Sequence, residues 1–416
     1  MSGPGPTLRW GVVGLGRAAT SMLPSLAADP RVLLVAAATR RPEARAKFTE
    51  LFGGKTFETA EELCASPDVD VVYVATPHAL HAEHAMLAAR HGKHALVEKP
   101  MALTLHDCDR MIEAAERGGT VLMIGPTHGY DLPILKMREI VRDGAIGRVR
   151  MILTFDYTNF LYRPRRPEEL ETRLGGGVIF NQVPHQVDIV RLLGGGLVRS
   201  VRSVTGVWDR ARPTEGSHMT LLEFEDGAAA TMVYSGYDRF DSDELHGWIG
   251  EGGDRKADDG HGRAMREART VRTPDEEAAR KAATGFGGAS QKRPVRADAS
   301  GERHSPHFGV MIVSCERGDL RTAPDGILVY DEDGRHQVPV AAGKAVPDKG
   351  PAIDELHAAV AGDRAALHDG RWGKATLEVC LAILESARSR REVPLSHQVA
   401  ARDNDGTVAV GVGVRG

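Results

Sequence analysis

The feature that most constrains this chain is a series of nearly continuous apolar runs spaced by helical stretches. WGVVGLG (10–16), VLLVAAA (32–38), VDVVYVA (69–75) and TVLMIG (120–125) are dominated by Val, Leu and Ala. A strand with one wet face alternates apolar and polar residues, whereas a strand buried on both faces reads as an unbroken apolar run. Between these runs lie RAATSMLPSLAA, a polar stretch rich in Glu, Ala and Arg, and HALHAEHAMLAARHG, all with helical spacing. HALVEK (94–99) adds a short strand, and a helix follows from about Thr104. Alternating strand and helix give a parallel sheet covered on both faces, so residues 1–127 are expected to form a doubly wound Rossmann domain.

The character changes after Gly147. RVRMILTFDYTNF (148–160), SVRSVTGVWDR (200–210), MTLLEFED (219–226) and AAATMVYSGY (228–237) alternate apolar and polar residues, and Asp226-Gly227 reads as a hairpin turn. Residues 128–392 are therefore expected to form an α+β domain with a large, mostly antiparallel open sheet. A polar insertion at about 250–306 is expected to be partly ordered, because AMREART and DEEAARKAA have helical composition. The amphipathic stretch 375–389 should pack back on the body, leaving 393–416 as a tail. An open sheet with one face bare of helices needs burial, which predicts a homodimer or homotetramer through that sheet.

A length of 416 residues suits two domains, and 53 basic against 57 acidic residues leave a net charge of −4. That balance calls for neither nucleic acid nor an anionic membrane as partner. The four cysteines, Cys64, Cys108, Cys315 and Cys380, are far apart, so neither a disulfide framework nor a zinc site is expected. The N-terminus lacks the pattern of a signal peptide, and no run of about 18 apolar residues occurs. The expectation is a cytoplasmic globular protein acting on a small molecule.

Gly14-Leu15-Gly16-Arg17-Ala18-Ala19 fits GxGxxA between the first strand and the first helix. The first glycine permits a tight turn, the second lets backbone approach a pyrophosphate, and the small last residue allows close helix packing. The second strand, whose end reads the cofactor's ribose, finishes Ala38-Thr39-Arg40-Arg41 with no acid before Glu43. A hydroxyl and guanidinium groups suit a 2′-phosphate, so NADP is expected, with NAD as the alternative. Ala75, Thr76, Pro77, His78 and His81 follow the third strong strand at the ligand-binding edge of the sheet. His78, His81 and His84 share helical spacing, but no carboxylate or cysteine completes a ligand set, so no metal is expected. In GGGVIFNQVPHQVD, Asn181 and His185 stand four apart on one helical face, with Asp188 placed to orient the imidazole.

With GLGRAA, ATPHALHAEHA, VEKP, GAIGRVR and GGGVIFNQVPHQVD together, the chain resembles the Gfo/Idh/MocA family of NAD(P)-dependent oxidoreductases. The resemblance implies that Lys99 of EKP, usually followed by a cis proline, sits beside the nicotinamide and the substrate hydroxyl. It implies that Glu98 holds the cofactor or positions Lys99, and that His185 is the acid/base histidine. The family's usual aspartate four residues before that histidine is Asn181 here, which can orient a hydroxyl but cannot share a proton.

More narrowly, GPTHGYDLPILKMREIVRDG, LYRPRRPEELETRLGGGVIFNQ and HFGVMIVSCERGDLR resemble the phthalate 4,5-cis-dihydrodiol dehydrogenase group. That group oxidises cis-dihydrodiols of carboxylated rings to catechols. Arginine forks pair well with carboxylates, so Arg163 and either Arg165 or Arg166 are expected to anchor substrate carboxylates. His128, Tyr157 and Tyr162 are expected to line the pocket, together with Asn181 and His185. The alternatives are a sugar or polyol dehydrogenase of the same family and a catalytically silent NADP-binding sensor or subunit.

Overall fold

Valine-rich runs with no polar interruption become the middle of a parallel sheet. The computed structural model describes residues 6–291, 303–340 and 349–402, which fall into two units. The first unit comprises Met1–Pro126, Thr273–Ser300 and Ala345–Leu377. Its strands are β1 (Leu8–Val13), β2 (Val32–Ala38), β3 (Lys55–Phe57), β4 (Val71–Val74), β5 (His94–Val97) and β6 (Leu122–Ile124). They pair in parallel in the order β3-β2-β1-β4-β5-β6. Every residue of β4 and β6 is buried, as a doubly covered sheet requires. Strand order reverses between β1 and β4, so the carboxyl ends of these strands flank the crevice where such sheets take ligands.

The second unit comprises Thr127–Arg272, Gly301–Lys344 and Glu378–Gly416. Its strands are β7 (Val149–Tyr157), β8 (Val198–Gly206), β9 (Ser217–Phe224), β10 (Ala229–Ser235), β11 (Val310–Cys315), β12 (Gly318–Ala323), β13 (Gly326–Asp331), β14 (Gly334–Pro339) and β15 (Val393–Pro394). They form one sheet in the order β14-β13-β12-β11-β7-β10-β9-β8-β15, antiparallel except where β7 meets β10. Alternation sets its two faces. Ile152, Thr154 and Asp156 of β7 and Ala230, Met232 and Tyr234 of β10 are buried on the face packed by the helix Val183–Leu193. Met151 and Leu153 of β7, Val204 of β8, and Met219 and Leu221 of β9 are exposed, Met219 by 58%.

The polar stretch 250–306 does not travel as one piece. The helix Arg263–Ala268 belongs to the second unit, packing Ala264, Met265 and Ala268 on Tyr162 and Tyr237, whereas the helix Pro274–Ala283 belongs to the first. Residues 292–302 of that stretch, and 403–416 of the tail, lie outside the described residues. Among the described residues no helix is long and apolar enough to cross a membrane.

Candidate active site

The first unit builds its site from the ends of β1, β2, β4 and β5. The chain leaves β1 through Gly14 at φ +92°, where a Cβ would stand 2.6 Å from the carbonyl oxygen of Ala75 after β4. Only glycine fits that turn. Leu15 is buried beneath it, and Gly16 caps the helix Arg17–Ala28, with Arg17 exposed, Ala18 half-buried and Ala19 fully buried. A Cβ on Gly16 would meet nothing within 4 Å. The turn is tight on its inner side and open on its outer side, at a helix end whose first N–H groups need acceptors. The residues fit the pyrophosphate of a dinucleotide.

Thr39 and Arg40 follow β2. Arg40 is exposed and has no hydrogen bond or ion pair among the described residues. Arg41 differs from expectation, because its guanidinium donates to the carbonyls of Leu15 at 2.6 Å and Phe286 at 2.9 Å and pairs with Glu43 at 3.3 Å. It ties the glycine turn to the segment after the helix Pro274–Ala283. Phe286 is fully buried there, its ring 6.4 Å from that of Phe52.

After β4, Ala75, Thr76 and Pro77 lead into the short turn His78–Leu80. Thr76 Oγ1 lies 3.1 Å from His84 Nδ1. His81, expected at the cofactor, is instead wholly buried. Its Nδ1 is 2.8 Å from the carbonyl of Pro100 and its Nε2 is 2.9 Å from that of Thr76. Burial pushes its pKa down to about 4, so at neutral pH the ring carries one N–H and donates to one of the two carbonyls at a time. Its part is to brace the Thr76 loop against the Lys99–Pro100 loop.

β5 runs directly into that loop, and the Lys99–Pro100 peptide is cis. Glu98 Oε1 accepts from the Tyr73 hydroxyl at 2.6 Å. Burial lifts Glu98 above the ordinary carboxyl range, opposed by the neighbouring Lys99 ammonium and then by the Tyr73 hydroxyl. Tyr73 was not anticipated as a partner. Its inward position on an unbroken apolar strand gives no hint of a hydroxyl contact 25 residues away.

In the second unit the turn Gly175–Gly177 precedes the helix that carries His185. Gly177 adopts φ +76°, and a Cβ there would lie 2.4 Å from Thr214 Oγ1. Asn181 Nδ2 donates to the carbonyls of Gly175 at 3.0 Å and Gly177 at 2.7 Å, so this amide holds the glycine turn. His185 Nδ1 accepts the backbone N–H of His128 at 3.3 Å. The two rings meet edge to face at 4.8 Å, and Phe308 packs on both at 4.7 and 5.0 Å. Tyr234 stacks on Phe308 at 6.2 Å. Asp188, expected to orient the His185 imidazole, accepts from Thr127 Oγ1 at 2.5 Å and so also secures the turn that carries His128.

The arginine run resolves into three different environments. Arg163 donates to Asn159 Oδ1 at 2.8 Å and faces Glu251 at 3.7 Å, with Tyr234 and Asp156 also within its electrostatic reach. Arg165 departs from its expected role. It is buried, donates to the Phe160 carbonyl at 2.5 Å and lies 3.8 Å above the Phe160 ring, an internal strut. Arg166 also departs, pairing with Glu168 and Glu169 at 3.2 Å each. The tyrosines shift as well. Tyr162 donates to Asp209 at 2.8 Å and sits in the core with Leu161 and Tyr237. Tyr157 shares the outer face of β7 with Met151 and Leu153 and packs on Phe240, opposite the face that packs on the helix of His185. Phe308 and Tyr234 are the aromatic residues that stack beside the two histidines, and the parity of β10 puts Tyr234 on the covered face.

Comparison with known proteins agrees with this anatomy. The NAD-binding Rossmann-fold model of the GFO/IDH/MocA oxidoreductase family matches residues 8–126, and the C-terminal-domain model of that family matches residues 134–250. The 1-carboxy-3-chloro-3,4-dihydroxycyclohexa-1,5-diene dehydrogenase of Comamonas testosteroni is 42% identical over 92% of this chain and 95% of its own. A Bordetella bronchiseptica RB50 protein, solved as a proposed dehydrogenase, is 45% identical with a TM-score of 0.87, covering 94% of this chain and all of its own. The myo-inositol 2-dehydrogenase of Thermotoga maritima is 30% identical over 47% of this chain and 57% of its own. The chain belongs to the GFO/IDH/MocA family and is an NAD(P)-dependent oxidoreductase acting on CH–OH groups.

Proposed function

We propose that the chain oxidises the cis-dihydrodiol of a carboxylated ring to the corresponding catechol, with NADP as oxidant. The observation that carries the substrate class is Arg163. It is a largely shielded guanidinium within electrostatic reach of Tyr234, whose ring stacks on the Phe308 that packs against both histidines, and its carboxylate neighbour Glu251 stands off at 3.7 Å. A direct charge-assisted contact is shorter than that, so Arg163 retains donors for a carboxylate of the substrate. The flat faces of Phe308 and Tyr234 suit a cyclohexadiene ring. The relative from Comamonas testosteroni, similar over nearly its whole length, acts by its name on a carboxylated dihydroxycyclohexadiene.

The dinucleotide, when bound, accepts hydride from the ring carbon. The chain's own residues do the rest. Lys99 delivers a cation to the substrate hydroxyl and favours its ionisation. His185 and His128 contact the oxygens. Arg163 orients the ring through its carboxylate, and the dienone product tautomerises to an aromatic diol. NADP is favoured over NAD because Arg40, rather than Arg41, is the guanidinium left open beside Thr39. A homodimer or homotetramer would cover the exposed residues on the outer face of the large sheet.

A substrate panel followed by formation of reduced cofactor tests this reading. Turnover of a carboxylated cis-dihydrodiol without turnover of inositol or simple sugars is the expected result. Turnover of polyols alone would transfer the assignment to a sugar dehydrogenase, and cofactor binding without any turnover would make the chain a sensor.

A further inference from the structure

His128 forms a second, differently built imidazole beside His185. Its Nδ1 lies 2.5 Å from Oδ2 of Asp131, whose carboxylate is buried at 3% exposure while the His128 side chain keeps 13%. A carboxylate only accepts, so Nδ1 carries the proton and Nε2 holds the lone pair. Among the described residues Nε2 of His128 has no hydrogen-bond partner. His185 is the opposite tautomer. Its Nδ1 takes the His128 backbone N–H, so its neutral ring carries the proton on Nε2 and can only donate there.

We propose that His128, held by Asp131, is the catalytic base, and that His185 is the donor that binds the same substrate oxygen. The inference rests on the reading that the chain oxidises a secondary alcohol. In the step, the substrate O–H bond breaks and its proton goes to Nε2 of His128. The electron pair left on oxygen forms the C=O bond, and the carbinol C–H bond breaks with hydride leaving to the oxidised dinucleotide. The imidazolium is stabilised by the Asp131 carboxylate and then returns its proton to solvent.

The geometry favours this division of labour over a single acid/base histidine. A carboxylate on Nδ1 fixes the ring and makes Nε2 a better acceptor, while a backbone N–H on Nδ1 does the reverse. Asn181, four residues before His185, is engaged with the carbonyls of Gly175 and Gly177. Asp131 faces His128 from the same turn, and His185 and Asp188 come from the helix Val183–Leu193, the latter through Thr127. Arg138 of the helix Leu132–Asp143 donates to the carbonyl of Arg402, and His307 beside Phe308 lies 2.7 Å from the carbonyl of Ile249.

Two measurements test it. Heteronuclear NMR of the imidazole nitrogens in the resting protein should show His128 protonated on Nδ1 and His185 on Nε2. The reverse assignment overturns the proposal whatever the substrate proves to be. On an alcohol that the wild type oxidises, His128→Gln should lower kcat by roughly 10²–10⁴-fold and remove the acidic limb of the pH–rate profile. KM and cofactor affinity should stay within about threefold of the wild type, since the loss falls on the chemical step. Asp131→Asn should lower kcat in the same sense and move that limb, and His185→Gln should retain it. A His128→Gln variant with the wild-type profile, or a limb abolished by His185→Gln instead, would overturn the proposal. Failure of the wild type to oxidise any alcohol would count against the functional reading itself, separately from the tautomers.

Discussion

Lys99 follows directly on the buried end of β5. Glu98, hydrogen-bonded to Tyr73, is a buried carboxyl group within electrostatic reach of the Lys99 ammonium. Lys99→Ala should cut kcat/KM by roughly 10²-fold or more, the size of a lost proton-handling group, while cofactor affinity measured by fluorescence titration changes little. Retained turnover would remove the lysine from the mechanism. Arg163→Ala should raise KM for a carboxylated dihydrodiol by about 10- to 100-fold, since a charge-assisted contact is worth about 1.5–3 kcal/mol. An uncharged analogue should be nearly unaffected, and an equal effect on both would contradict a carboxylate anchor. His81 makes a pH prediction. Its folded pKa of about 4 lies below the ordinary 6.5, so the unfolded chain binds more protons between these values. Its contribution is therefore fully present above pH 6.5 and is lost as pH falls toward 4, on the order of 3 kcal/mol. Thermal midpoints across that window should fall less steeply for His81→Gln than for the wild type. Parallel slopes would contradict the assignment.

The strands of the first unit were legible because burial on both faces leaves an unbroken apolar signature. β3 was not, since Lys55–Phe57 is a three-residue edge strand with no run to read. Period-two alternation gave the large sheet, but aromatic content alone does not say which face a tyrosine takes. Tyr157 shares its parity with exposed Met151 and Leu153, whereas Tyr234 has the opposite parity on its own strand. The arginine cluster looked uniform in sequence, and only the neighbouring Glu168, Glu169, Phe160 and Glu251 distinguish its members. His185 and Lys99 stood out through their motifs. His128 and Asp131 belong to a short turn without periodicity, so their pairing becomes visible only as a distance. The segment after the helix Pro274–Ala283 was hardest of all, because polar composition does not say which body it joins. Its contact with Arg41 carries a prediction. Arg41→Ala should weaken NAD and NADP binding alike by loosening the glycine turn, whereas Arg40→Ala should weaken NADP selectively. Calorimetric titration with both dinucleotides separates the two, and a selective effect at Arg41 would reverse the roles.

At the scale of the whole molecule, the outer face of the large sheet is the feature a lone chain leaves unsatisfied. Across paired strands, Leu153, Thr231 and Leu221 form one row, and Phe155, Val233, Met219 and Val204 form the next. Contiguous exposed apolar rows of this kind mark interfaces. Light scattering should give a multiple of the chain mass, and Met219→Glu combined with Leu221→Glu should shift it toward a monomer. An unchanged mass would place any interface elsewhere. The proposed reaction moves a hydride from a carbinol carbon of a carboxylated ring to NADP. A single turnover with a carboxylated cis-dihydrodiol deuterated at that carbon follows this transfer atom by atom. The prediction is deuterium recovered in the reduced cofactor, with a slowed hydride step. Cofactor reduced without the label, or labelled only when deuterated inositol is supplied, would contradict it.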